Sequence, residues 1–381
     1  MKKRNIAVMY MISLFQGMVF YASISTLYRT ARGLTLSQYA FIDSVSLLLT
    51  LLLEVPWGVV ADKIGYRKTL LLANGFYALS KLVFLNAYGF LGFLMERVFF
   101  SLAMSGISGV DMSVLYLSCD EGESQKVFGR YSAFGNRGML LSAGIFAICA
   151  LTHQQAALFT LIAYSISLAL TFLVTEVKEE TKEETDRIPF KLLLKNTVTD
   201  IELIVFLASC ALISVSTWVI VVFLNQNQYL ANGRNERFIG FTFIISGLIN
   251  FIGVFSDNFT RKTGDKLAGI ILLGCLGVTA MLLSFSKNVY LSLFLIASTD
   301  ALYNLFIPLQ HRLESDYIKA KDRATVLSIY MMCIDLFSVV PNTLMGISGE
   351  NSLPATFRWC ALMSFAAMAG YIYFINRKQE K

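Results

Sequence analysis

The chain has 381 residues, 56% hydrophobic and only 15% charged, with a mean hydropathy of +0.61 and a formal net charge of +6. Soluble domains carry roughly a quarter charged residues, so the composition argues against a water-soluble protein and for an all-α membrane protein embedded in a lipid bilayer. The positive surplus needs no nucleic acid partner if the basic residues face an anionic leaflet.

In chain order, Lys2, Lys3 and Arg4 precede an apolar run at Ile6–Tyr28. That start resembles a cleaved signal peptide, but the run outlasts signal length and more follow, which favours an uncleaved first helix. Runs near the ~20 residues that cross a bilayer then recur at Ser37–Ala61, Thr69–Tyr88, Phe90–Leu117, Phe128–Ala150 and Ala156–Val174. A mixed-charge stretch from Glu176 to Arg187 interrupts them, and after Pro189 the segment Phe190–Lys195 reads as a short amphipathic interfacial helix. The apolar pattern resumes at Ile201–Leu224, Phe238–Phe255, Leu267–Phe285, Val289–Leu309, Ala324–Ile347 and Thr356–Ile375. The expectation is twelve transmembrane helices in two six-helix pseudo-symmetric halves, 1–175 and 200–381, joined by a cytoplasmic connector at 176–199.

Lys and Arg crowd the segments on the N-terminal side of the spans, among them Lys63, Arg67, Lys68, Lys126, Arg130, Lys191, Arg261, Lys262, Arg312 and Arg377. The other side holds Arg29, Arg32, Arg234, Arg237, Lys287 and Arg358. The positive-inside rule then places both termini in the cytoplasm of a multi-pass cell-membrane protein. The six cysteines show no paired spacing and read as packing residues. His153 and His311 fall on opposite sides of this topology, too far apart to share a metal, and each reads as a solvated polar residue. No Gly-x-x-x-x-Gly-Lys-Ser/Thr, His-Glu-x-x-His or Gly-x-Ser-x-Gly pattern points to ATP hydrolysis or a membrane hydrolase. Neither a cofactor nor an enzymatic role is expected.

One motif recurs. Gly58-Val59-Val60-Ala61-Asp62-Lys63-Ile64-Gly65-Tyr66-Arg67-Lys68 follows the second span, and Gly253-Val254-Phe255-Ser256-Asp257-Asn258-Phe259-Thr260-Arg261-Lys262 follows the eighth. A repeat at half the chain length indicates a duplicated membrane domain, a transporter architecture. Both loops resemble motif A of the major facilitator superfamily, and the twelve spans, cytoplasmic termini and charged connector are similar to that family too. The second copy departs from the pattern: it lacks a counterpart of Gly65 and its basic pair comes one residue early. Gly58 would permit close helix approach, and Asp62 would face a helix N-terminus. The resemblance places that terminus at the start of the eleventh span, near Asp322 and Arg323. It implies that Arg67 pairs with Asp120, that Asp257, Arg261 and Asp316 repeat the arrangement, and that these pairs form a breakable inner gate.

The resemblance also implies a small-molecule cavity between the halves of a monomer, where intramembrane ionisable groups are the pointers. Glu54 lies about 12 Å along the helix from Asp62. Its setting, Glu54-Val55-Pro56-Trp57-Gly58, resembles a Glu-x-Pro-x-Gly pattern of one group of bacterial facilitators, and Pro56 is expected to bend the helix. Glu54 has no acidic counterpart in the second half and is a candidate proton carrier, or else a structural hydrogen-bonding group. Asp111 and Arg137 sit at similar depth, about 14 Å and 10 Å from their helix ends, and are expected to pair, for structure or for proton coupling. Arg97 matches a motif B arginine, although Ser101 replaces the expected glycine, and Lys81 is expected to snorkel outward. Asp300, Tyr303, Asn304 and Asp335 are cavity candidates in the second half, with Gln16, Phe20, Tyr21 and Trp218 as weaker ones. Such an aromatic, partly acidic lining suits an amphipathic or cationic organic molecule. Efflux in exchange for protons leads over nutrient uptake and over a non-transporting sensor. Motif C of drug/proton antiporters is incomplete, because the fifth span has Gly135, Gly138 and Gly144 but no proline.

Overall fold

The computed structural model describes residues 2–120, 123–177, 194, 197–318 and 323–380, and every regular element among them is helical. In order these are α1 (Lys2–Gly17), α2 (Ser25–Thr30), α3 (Leu36–Ile64), α4 (Tyr66–Asn86), α5 (Gly89–Ile107), α6 (Val110–Ser118), α7 (Ser124–Cys149) and α8 (His153–Thr171). Then follow α9 (Ile201–Trp218), α10 (Asn225–Ala231), α11 (Glu236–Ile249), α12 (Ser256–Thr263), α13 (Asp265–Leu283), α14 (Val289–Tyr317), α15 (Arg323–Asn351) and α16 (Leu353–Glu380). The charged connector lies mostly outside the described residues. So do Asp322 and, apart from Leu194, the Phe190–Lys195 segment.

Eleven stretches are long and apolar enough to cross a membrane. The expected fifth span is also a helix, the 26-residue α7, about 39 Å long at 1.5 Å per residue. It carries Lys126, Arg130 and Arg137 and is not among the eleven.

Several stretches are interrupted. The first, Lys3–Thr30, breaks between α1 and α2 around Met18–Tyr21. The fourth, Gly89–Ser118, breaks at Ser108–Gly109, between α5 and α6. A π-helical turn at Val219–Phe223 ends the stretch containing α9, and a 3-10 segment at Asn250–Phe255 joins α11 to α12. Irregular backbone at membrane depth persists only where other groups satisfy it.

Contacts divide the chain into two compact units, one of 1–182 with Glu236–Gly247, the other of 183–235 with 248–381. The segment Glu236–Gly247 groups with the N-terminal helices rather than with its sequence neighbours. In the first unit α1 and α7 cross at glycines: a Cβ at Gly17 would collide with the Gly135 carbonyl, and one at Gly138 with that of Leu14. Small residues give membrane helices such close approach. The second unit packs α9, α13, α14, α15 and α16 around Phe206, Leu276, Phe306, Tyr330, Tyr371 and Phe374.

Candidate functional site

The first motif ends in a sharp helix-to-helix junction. Gly65 closes α3 and opens α4 at φ 91°, a conformation that disfavours any side chain. A Cβ there would also meet the Glu176 carboxylate at 2.9 Å. Glu176 accepts a hydrogen bond from the backbone N–H of Arg67 at 3.3 Å, supplying the anion that an α-helix N-terminus favours. Arg67 donates to the Phe172 carbonyl at 3.2 Å rather than to Asp120, which is exposed, so the expected Arg67–Asp120 pair is not made. Both partners belong to the C-terminal end of α8 and the residues after it, which approach Arg67 more closely than the exposed Asp120 does. Asp62 is exposed as well, and a Cβ on Gly58 would meet nothing within 4 Å.

The second motif is less degraded than its spacing indicated. Gly264, at φ 78°, closes α12 and opens α13 as Gly65 does for α3 and α4. The segment from Asp257 to Gly264 is about one helical turn longer than that from Asp62 to Gly65. Lys266, not Arg261, therefore holds the position of Arg67 relative to the glycine. Helix α13 carries its own first-turn acid, Asp265, which binds Arg312 at 2.5 Å. Arg261 pairs along its own helix with Asp257 at 3.0 Å, while Asp316 binds Lys378 at 3.8 Å. The expected Arg261–Asp316 pair is thus replaced by nearer partners. The close approach foreseen for Gly58 appears instead at Gly253, where a Cβ would lie 3.0 Å from the Asn304 carbonyl oxygen.

Among the proton-coupling candidates, Glu54 is half-buried on α3 and faces Ser108, at the break between α5 and α6. Pro56 is accommodated within the continuous helix α3. Asp111 accepts hydrogen bonds from the Met112 N–H at 2.7 Å and the Tyr131 hydroxyl at 3.0 Å. Arg137 is exposed and stacks over Phe134 at 5.2 Å, so no Asp111–Arg137 pair exists. Similar depth was a poor guide because direction matters equally. Tyr131 and Arg137, six residues apart, point about 120° apart around α7.

The most highly charged buried cluster among the described residues of the first unit joins Arg29, Asp43, Glu96 and Arg97. Arg97 binds Asp43 at 2.8 Å, and Glu96 lies 3.5 Å from Arg29 and 3.7 Å from Arg97. Neither Glu96 carboxylate oxygen has a hydrogen-bond partner, and the residue is 0% exposed. Arg29, expected in an outer loop, is buried against the rings of Tyr39, Phe84 and Phe93. Lys81 does not snorkel: it is 4% exposed and donates to the Tyr21 hydroxyl at 3.1 Å. The signal for this cluster was present in Asp43, Glu96 and Arg97, ionisable residues inside apolar runs. Nearby, the break in the first stretch is held by α8 and α4. Tyr164 donates to the Gln16 carbonyl at 2.7 Å, Phe20 N–H donates to Thr160 at 3.0 Å, and the Gln16 side chain donates to Asn74 at 2.6 Å.

In the second unit Asn304 donates to the Asp300 carboxylate at 2.9 Å and to Asn250 at 3.1 Å, tying α14 to the 3-10 segment Asn250–Phe255. Asp300 is buried, Asp335 on α15 half-buried, and Tyr303 faces Ser214. Trp218 stacks on Phe223 at 4.9 Å, bracketing the π-helical turn. Glu314, which the sequence reading passed over, is buried and bound by Gln310 at 2.8 Å and His311 at 3.1 Å. His153 contacts Glu236 at 2.9 Å. Each histidine therefore has a carboxylate partner rather than only solvent.

A family model of the Major Facilitator Superfamily matches residues 6–380. No curated protein sequence matches the chain. Among solved structures, one of the nucleoside transporter NupG superposes with a TM-score of 0.76 at 11% identity, covering 99% of this chain and 98% of that one. A mutant form of NupG gives a TM-score of 0.80 at 12% identity, covering 98% and 99%. A bacterial homologue of the human lysosomal transporter Spinster, in an inward-facing and occupied conformation, gives 0.70 at 10% identity, covering 98% and 96%. At such identities the likeness is one of fold.

Proposed function

The chain belongs to the major facilitator superfamily and is a transporter rather than an enzyme, and we propose that it is a monomeric, proton-coupled secondary transporter of the cell membrane that exports a small amphipathic organic molecule by alternating access. In this reading twelve helices span the membrane with both termini in the cytoplasm, and the halves fall at residues 1–175 and 200–381. The observation that carries the coupling is the placement of Glu54, an ionisable group at membrane depth facing an interrupted helix. A carboxyl there can take up and release a proton as its surroundings alternate.

The gating residues lie at the two helix junctions, Gly58, Asp62 and Arg67 in the first unit and Asp257 and Arg261 in the second. Glu176 and Asp265 take the anionic places at the starts of α4 and α13. Asp120 and Asp316 are left for the other conformation of the gate. The candidates for substrate contact are Gln16 and Tyr21 in the first unit and Trp218, Asp300, Tyr303, Asn304 and Asp335 in the second, with Asp111 as a second protonatable group.

Proton-linked nutrient uptake is the second reading, favoured by the missing proline in α7, where Gly135 and Gly138 serve packing against α1. A panel of labelled solutes, neutral nucleosides, lipophilic cations and organic anions, separates these readings in inverted vesicles with and without a pH gradient. Proton-driven accumulation supports export. Accumulation confined to right-side-out vesicles supports uptake, and no flux of any solute removes both readings.

A further inference from the structure

We propose that Lys81 is an anchor for the acidic group of the transported molecule, so that the substrate is an organic anion with a planar apolar body. This rests on the transporter reading above and narrows its substrate class. The ammonium is buried and donates one hydrogen bond, to Tyr21, out of three it can make. The rings of Tyr77, Phe100 and Tyr164 lie around it with centroids 4.9–5.1 Å away. Rings at this distance stabilise the charged form, and what the ammonium lacks is a direct ion-pair partner.

Among the described residues, no carboxylate forms an ion pair with it. Asp43 is engaged by Arg97, and Glu96 lies between Arg29 and Arg97. At full formal charge the cluster of Arg29, Lys81 and Arg97 against Asp43 and Glu96 carries one positive charge in excess. An unmatched charge at membrane depth is costly, and such groups mark substrate pathways. An anionic ligand balances the cluster, and a charge-assisted hydrogen bond from the ammonium would hold it.

A second observation links this site to the first helix. Tyr21, the acceptor of the Lys81 hydrogen bond, stands in the interruption of the Lys3–Thr30 stretch. Discontinuous helices in transporters line substrate sites. The same break is fastened by Tyr164, one of the rings around Lys81. Lys81 thus touches the interruption of the first stretch through Tyr21.

The test is titration calorimetry on the full-length protein in detergent with benzenesulfonate, benzenesulfonamide and phenyltrimethylammonium. These probes share a ring and differ in charge. The wild type should bind the sulfonate in preference to the other two. Lys81→Met should weaken sulfonate binding by about tenfold or more, and Lys81→Arg should retain most of it. Tyr21→Phe, which keeps the ring and the charge, should bind with a modest loss and guards against a folding artefact in Lys81→Met. Equal binding of all three probes, unchanged sulfonate binding by Lys81→Met, or no sulfonate binding by the wild type overturns the assignment. In the vesicle panel, flux of nucleosides or cations without anions condemns this inference alone, whereas absence of all flux condemns the export and uptake readings alike.

Discussion

Replacing Glu96 by Gln isolates the energetics of the buried cluster. The carboxylate sits 3.5 Å from Arg29 and 3.7 Å from Arg97, with its side chain 1% exposed. At an effective dielectric near 20, each contact is worth about 4–5 kcal/mol before desolvation. Arg97 keeps Asp43, but Arg29 is left with the Ser25 carbonyl and three rings. Breaking one side of a buried ion pair costs about 3–5 kcal/mol, or at least about a hundredfold in the unfolding equilibrium. Lys81→Met in the same background removes the surplus cation and should restore about 1 kcal/mol or more. Reversible SDS unfolding in bicelles reads both values. A Glu96→Gln loss below about 1 kcal/mol, or strict additivity of the two substitutions, refutes the idea that these charges form one balanced set.

Other predictions follow from the junctions. Gly65→Ala should cost about 1–3 kcal/mol, because φ 91° is strained for any side chain and the Cβ meets Glu176; the same unfolding assay reads it, and a neutral result contradicts it. Gly138→Leu should separate α1 from α7 and lower the yield of folded protein, measured as the monodisperse fraction after detergent extraction, whereas Gly144→Leu, where a Cβ meets nothing within 4 Å, should not. Tyr131→Phe removes the hydroxyl bound to Asp111 and should cost about 1 kcal/mol of stability. Arg137→Gln should leave stability within about 0.5 kcal/mol, since its exposed side chain has no carboxylate partner; equal losses in the two would restore the Asp111–Arg137 pairing.

Hydropathy made the helical spans legible because a bilayer demands long apolar helices. The glycine of the first junction was legible for a similar reason, since a motif of fixed spacing marks a fixed backbone conformation. Pairings were much less so. Asp111 and Arg137 were matched by depth, yet side chains meet only when depth and direction around the helix agree. The counterpart of Gly65 was missed because one extra turn in α12 shifts the spacing while preserving the junction at Gly264. Arg29 was assigned to a loop by topology, and only the packing of α2 against α3, α4 and α5 reveals it as a buried partner of Glu96.

The account stands most directly on proton-driven flux through Glu54. With any solute from the panel that the wild type moves, Glu54→Gln in inverted vesicles should abolish accumulation driven by a pH gradient while preserving exchange of labelled for unlabelled solute across the membrane. Undiminished gradient-driven accumulation by Glu54→Gln would contradict the account.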